Sequence, residues 1–198
     1  MSDVLAVGEF PTLEQVSILA KAGFKSILNT QPDGEVARFD SDAAIAAEAK
    51  RNGLAHAYAP LSSRTPPEGE LARYAAAIEA LPAPIYAFCY SGSRSAAAFG
   101  LLLTASMDVE TIVSQFAEAG FDLAGIKPWL DEARARHVSE RGAAAGGKPA
   151  TASAIPPRPA PASKPAAEPQ FQRAPAAAGL PSMVVVQPRA AGFGGFAT

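Results

Sequence analysis

A chain of 198 residues with 48% hydrophobic content can bury one ordinary core, and its formal net charge of −2 offers no basic excess for gripping nucleic acid. Cys89 is the single cysteine, which excludes an intramolecular disulfide and a zinc site built on several thiolates, and which fits a reducing compartment. Met1 to Gly8 lack a basic segment followed by an apolar one and no apolar run approaches bilayer length, so a cytoplasmic protein without a membrane partner is expected.

Residues 1–140 read as alternating strands and helices. Val4 to Val7 is a short apolar strand. Thr12 and Gln15 then form a capping box that opens a helix to about Ala22, with Leu13, Val16, Leu19 and Ala20 on one face and Gly23 as its left-handed stop. Phe24 to Leu28 is the second strand, followed by a polar loop through Gln31, Pro32, Asp33, Gly34 and Glu35. Ser41 caps an Ala-rich helix from Asp42 to Arg51, and Leu54 to Leu61 is the third strand. A helix from about Glu68 to Ala80 leads into the strand Ile85 to Phe88, with Cys89 at its carboxyl end. Ser95 to about Met107 is so apolar that it predicts a buried helix. Asp108 caps another helix, whose Val109, Ile112, Val113, Phe116 and Ala117 keep helical spacing, and a last helix around Lys127 to His137, anchored by Trp129, closes the domain. The alternation predicts an α/β fold with a small, mostly parallel sheet flanked by helices and a site at the carboxyl ends of the strands.

Residues 141–182 are dominated by Ala, Pro, Gly, Ser and Lys and read as a disordered, Pro/Ala-rich linker of polyproline character. Residues 183–198 read as a tail. Its β-branched run Val184 to Val186 and glycine cluster also resemble the start of a dinucleotide-binding domain, cut short before any helix. On that second reading the chain is the front of a longer flavin- or nicotinamide-dependent fusion and binds no such cofactor by itself.

The chemistry concentrates in Cys89-Tyr90-Ser91-Gly92-Ser93-Arg94-Ser95. A thiol at a strand-to-helix junction faces free backbone amides, and Arg94 adds a full positive charge, both of which favour a nucleophilic thiolate. The same amides suit phosphate, sulfate or thiosulfate oxygens, and the planar fork of Arg94 can take two of them. Gly92 lets the chain curl, Ser91 and Ser93 are small enough to keep the cradle open, Tyr90 can line its mouth, and Ser95 can donate to the sulfur. His56 and His137 lack partners at ligand spacing, so neither a metal nor another cofactor is expected.

This loop, together with the runs Gly23 to Asn29, Gln31 to Glu35, Asn52 to Leu54 and Ala59 to Leu61, resembles the phosphatase-like domain of beta-lactamase hydrolase-like proteins, a family also described as sulfur transferases. The resemblance covers about residues 1–138. It implies a dual-specificity-phosphatase-like fold, with Cys89 as nucleophile and Arg94 as the anion-binding arginine. It also implies fusion or association with a sulfide-oxidising flavoprotein or a persulfide dioxygenase. Gln31 stands where an arginine is frequent, and Glu9-Phe10 replaces a more usual glutamine.

Three functions remain open, each acting on a small anionic sulfur or phosphate compound. Four residues separate Cys89 from Arg94, the rhodanese-like spacing, whereas tyrosine phosphatases typically use five. That places first a sulfurtransferase that carries sulfane sulfur as a Cys89 persulfide. The alternative is a phosphatase working through a phosphocysteine, which calls for a general acid; Asp33 and Glu35 are the candidates, and both also suit ordinary turn and solubilising roles. A non-catalytic oxyanion-binding module is the third.

Overall fold

Strands β1 (Leu5–Gly8), β2 (Ser26–Asn29) and β4 (Ile85–Phe88) are buried at every position, whereas β3 (Ala55–Tyr58) is only half-buried. Strands buried on both faces belong inside a parallel sheet covered by helices, and a half-buried one belongs at its edge. The computed structural model describes residues 5–145, 170–173 and 183–187 and has that arrangement, with β3, β2, β4 and β1 adjacent in that order and parallel. Ile85 of β4 lies opposite both Leu5 and Ser26, so β4 is central and its carboxyl end is flanked by the ends of β1 and β2.

The two-residue period of each strand divides its side chains between two cores. Ala6, Ile27, Tyr86 and Phe88 meet α1 (Leu13–Lys21) and α2 (Asp42–Arg51) through Val16, Leu19, Ile45 and Ala49. On the other face, Leu5, Val7, Leu28, Ile85 and Ala87 pack under α3 (Glu68–Ala80), α4 (Ser93–Leu103), α5 (Val109–Glu118) and α6 (Lys127–Ala145). The expected caps form: Thr12 and Gln15 make the reciprocal capping box, Ser41 accepts from the Ala44 amide, and Asp108 accepts from that of Thr111.

Three expectations need correction. Helix α4 stops at Leu103 instead of about Met107, because the Thr104 hydroxyl donates to the Leu101 carbonyl at 2.6 Å and diverts the last turn. Helix α6 runs past His137 to Ala145, since no proline interrupts the run from Val138 to Ala145. Trp129 does not anchor that helix in the core; it is half-exposed, on a groove between α3, α4 and α6.

The C-terminal part also departs from expectation where it is described. Gln170–Arg173 (β5), inside the expected linker, pairs antiparallel with Met183–Gln187 (β6), and β6 pairs antiparallel with β1, Val186 opposite Leu5. The run Met183 to Val186 therefore extends this sheet, giving the β1 edge the hydrogen-bonding partner it would otherwise lack. The glycine cluster of residues 192–195 and the remaining Pro/Ala-rich stretches lie outside the described residues. No helix among the described residues is long and apolar enough to cross a membrane.

Phe99 of α4 is 1% exposed at the centre of the larger core. Phe99→Ala should lower stability by about 3–5 kcal/mol, read from the midpoint of urea unfolding at unchanged slope.

Candidate active site

Cys89 directly follows β4, and α4 begins four residues later, so the intervening loop has to turn sharply. Gly92 makes the turn with a left-handed φ of 82° as the N-cap of α4. A Cβ there would come within 2.8 Å of the Gly8 carbonyl oxygen at the end of β1 and 2.9 Å of Phe121. Both the handedness and the close approach require glycine. The Ser91 and Ser93 hydroxyls pair across the turn at 3.0 Å.

The Cys89 side chain has no exposed surface, yet it belongs to neither apolar cluster. Its charge acts on the Arg94 guanidinium, so the thiol is buried beside a cation. Tyr74 and Tyr86 are fully buried nearby. Burial first, and then the charge of Cys89, pushes the Tyr74 phenol above its ordinary range; for Tyr86 the order is burial, Glu9, then Cys89. Both therefore stay neutral donors, Tyr74 to the Ser95 carbonyl at 3.2 Å and Tyr86 to the Glu9 carbonyl at 2.7 Å.

Arg94 is the hub. Its Nη1 donates to Glu35 Oε2 at 2.8 Å and to the Leu61 carbonyl at 2.9 Å, while Nη2 donates to Gln31 Oε1 at 2.9 Å and Glu35 Oε1 at 3.1 Å. Guanidinium has five N–H groups, so these four bonds leave only that of Nε. Burial lowers the Arg94 pKa, but its bonds with Glu35 and the charge of Cys89 outweigh this and raise it overall. The fork expected to grip two substrate oxygens is thus engaged by the carboxylate of Glu35.

The loop after β2 fixes this pairing. Gln31, 3% exposed, donates from Nε2 to Glu35 at 2.8 Å, and its backbone amide donates to Asn29 Oδ1 at 2.9 Å. Asn29 in turn donates to Asp42 at 2.8 Å, and Asp42 also meets His56 Nε2 at 2.9 Å. A connected polar chain therefore runs from the amino end of α2 to Arg94. It includes His56, which the sequence left without a partner.

The other expected residues divide. Tyr90 is exposed at the mouth, where its hydroxyl accepts from Arg38 Nη2 at 2.7 Å. Asp33 Oδ1 accepts from the Asp42 amide at 3.1 Å at the start of α2, and Glu35 faces Arg94 instead of the mouth. Ser95 does not donate to sulfur. Thr30 donates its one hydrogen to the Phe88 carbonyl at 2.7 Å, so in the 2.6 Å contact between the two hydroxyls Ser95 is the donor. Gln31, Asn29, Thr30, Asp42, Arg38 and the Leu61 carbonyl were missed as site residues. The available signal was topological, since Asn29 to Gln31 close the strand adjacent to β4.

Comparison with known proteins accords with this architecture. The family model for beta-lactamase hydrolase-like protein, phosphatase-like domain, matches residues 1–106, more than half of the chain. The chain belongs to this family. Beta-lactamase hydrolase-like proteins of Xylella fastidiosa and Agrobacterium fabrum are 26% and 25% identical to it over 133 residues. The match covers 66% of this chain but only 31% of each relative, so the chain corresponds to about a third of their length. A candidate phosphatase of Neisseria meningitidis superimposes with TM-score 0.61 at 24% identity, over 66% of this chain and 93% of its own. One from Shewanella putrefaciens gives 0.52 at 20% identity, over 67% and 87%. At such identities these structures establish the phosphatase-like fold. The comparisons favour the phosphatase alternative over the sulfur-transfer reading placed first on loop spacing.

Two outcomes follow. Gly92→Ala should cost more than the roughly 1–2 kcal/mol of a left-handed alanine, because the new methyl also meets backbone, and oxyanion binding should disappear with the turn. Glu35→Gln removes the negative charge competing for Arg94, so calorimetric titration with inorganic phosphate should show binding several-fold tighter than in the wild type.

Proposed function

We propose that this domain is a cysteine-dependent phosphate-monoester hydrolase. The observation that carries the reading is the position of Cys89, at the carboxyl end of the central strand and one short loop before Arg94 in the first turn of α4. The Cys89 thiolate attacks phosphorus, the P–O bond to the leaving group breaks, and a phosphocysteine forms. Water then attacks phosphorus, which releases phosphate and returns the thiolate. Loop amides and the Arg94 charge stabilise the oxyanions through both steps, with Glu35 yielding part of its hold as the substrate enters.

Leaving-group protonation distinguishes the substrates. Three carboxylates around the cradle already carry bonds within the fold: Asp33 to the Asp42 amide, Glu35 to Arg94, and Glu70, in the first turn of α3, to the Ser62 amide and hydroxyl at 2.8 and 3.0 Å. A leaving oxygen that receives little protonic help must be stable as an anion. Aryl phosphates should therefore turn over faster than alkyl phosphates, with a rate that falls steeply as the leaving-group pKa rises. Cys89→Ser should abolish phosphate release from an aryl phosphate, and acid quenching of the wild type should trap phosphate on Cys89. Turnover unchanged in the serine variant would overturn the reading.

One observation favours sulfur transfer as a second reading. The occupied Arg94 fork and the four-residue spacing leave few donors, and a terminal sulfur on Cys89 needs fewer than a phosphoryl group. In that reaction the thiolate attacks the outer sulfur of thiosulfate, the S–S bond breaks, sulfite leaves, and cyanide takes the sulfur as thiocyanate. Thiocyanate formation that needs Cys89, without phosphate release, would replace the first reading with this one.

A further inference from the structure

Beyond the nucleophile, the mouth of the site carries a cation that the proposed chemistry does not use. Arg38, exposed on the loop between β2 and α2, lies with its guanidinium 5.3 Å from the Phe39 ring centroid and 5.2 Å from that of Tyr90. It donates one of its five N–H groups to the Tyr90 hydroxyl at 2.7 Å. The rings beneath it are themselves fixed. Phe39 stacks on Phe10 at 4.2 Å and 8°, Phe10 meets Phe88 edge-on at 5.2 Å, and the Phe10 amide donates to the Tyr90 carbonyl at 3.4 Å.

Two properties make this a recognition element. A guanidinium seated on two rings is pre-organised, so a ligand need not order a mobile side chain to use it. It is also uncompensated: Arg94 is paired with Glu35, whereas no carboxylate among the described residues pairs with Arg38. Tyr90 is the residue after Cys89, so its hydroxyl ties the Arg38 charge to the loop that carries the nucleophile.

We infer that Arg38 forms a second anion subsite, selecting ligands in which the oxyanion held over Cys89 is joined to a further carboxylate or phosphate. If the domain hydrolyses phosphate monoesters, its substrates carry that second anionic group on the leaving-group side. The identity of the substrate class rests on the hydrolase reading; the subsite itself does not.

The test is calorimetric titration of phenylphosphonate and 3-carboxyphenylphosphonate, whose P–C bond is not hydrolysed, into wild type, Arg38→Ala and Arg38→Lys. The wild type should favour the carboxylated ligand about tenfold or more. That ratio should fall to near one in the alanine variant and stay intermediate in the lysine variant, which keeps the charge and loses the flat stack. An equal loss for both ligands would mean that Arg38 merely props Tyr90 and would overturn the subsite, as would an unchanged ratio or no binding of either ligand. The corresponding aryl phosphates are assayed in parallel. Arg38-dependent phosphonate binding without hydrolysis leaves the subsite standing and removes the hydrolase reading. Hydrolysis with a ratio indifferent to Arg38 does the reverse.

Discussion

The guanidinium of Arg94, at the start of the helix after β4, ties together three parts of the chain that have no local reason to meet: its own, the loop after β2, and the Leu61 carbonyl after β3. A partly buried cation with unmet donors would be costly, so all three segments have to hold their places for it to be satisfied. That requirement turns the carboxyl ends of three parallel strands into one site. It also explains why the loop from Asn29 to Asp42 is tied down at intervals, by Asn29 to Asp42, by Asp33 to the α2 amide, and by Arg38 to Tyr90.

A second consequence is that the site rests in a closed condition. Glu35 places a carboxylate where an oxyanion would also bind, and Cys89 has no exposed surface. A ligand must bring more favourable charge than Glu35 to share Arg94, which biases the site towards strongly anionic groups. The buried tyrosines support that bias, since phenols held neutral add no negative charge beneath the thiol. Around the mouth, the aromatic ladder from Phe88 through Phe10 and Phe39 to Tyr90 links the sheet to the rim. Phe10 thereby gains a structural role.

Much of the architecture is legible in the order of residues alone. The helix at Asp42–Arg51, the helix at Glu68–Ala80 and the strand Ile85–Phe88 fall where the Ser41 cap, the turn through Pro66-Pro67 and an apolar run place them, because those signals act within one turn or one strand. Cys89 and Arg94 are readable as a unit for the same reason: both lie on one short loop, whose glycine and small serines suit a cradle of inward-facing amides better than a packed turn. The C-terminal strands were not readable. Val184 to Val186 reads as part of a tail or as the first strand of another domain, and only pairing with β1, far away in sequence, makes it a strand of this sheet.

The sequence by itself determined the period of the core, the helix caps, the strand-to-helix turn at Gly92 and the residues able to act as nucleophile and cation, all of which depend on neighbours a few positions apart. Tertiary structure alone decided what those residues touch. Glu35 became a partner of Arg94, Ser95 turned towards Thr30, His56 found Asp42, and Arg38 came to rest on Tyr90. Each of these contacts spans a separation set by the order of strands in the sheet, and no local propensity encodes that order.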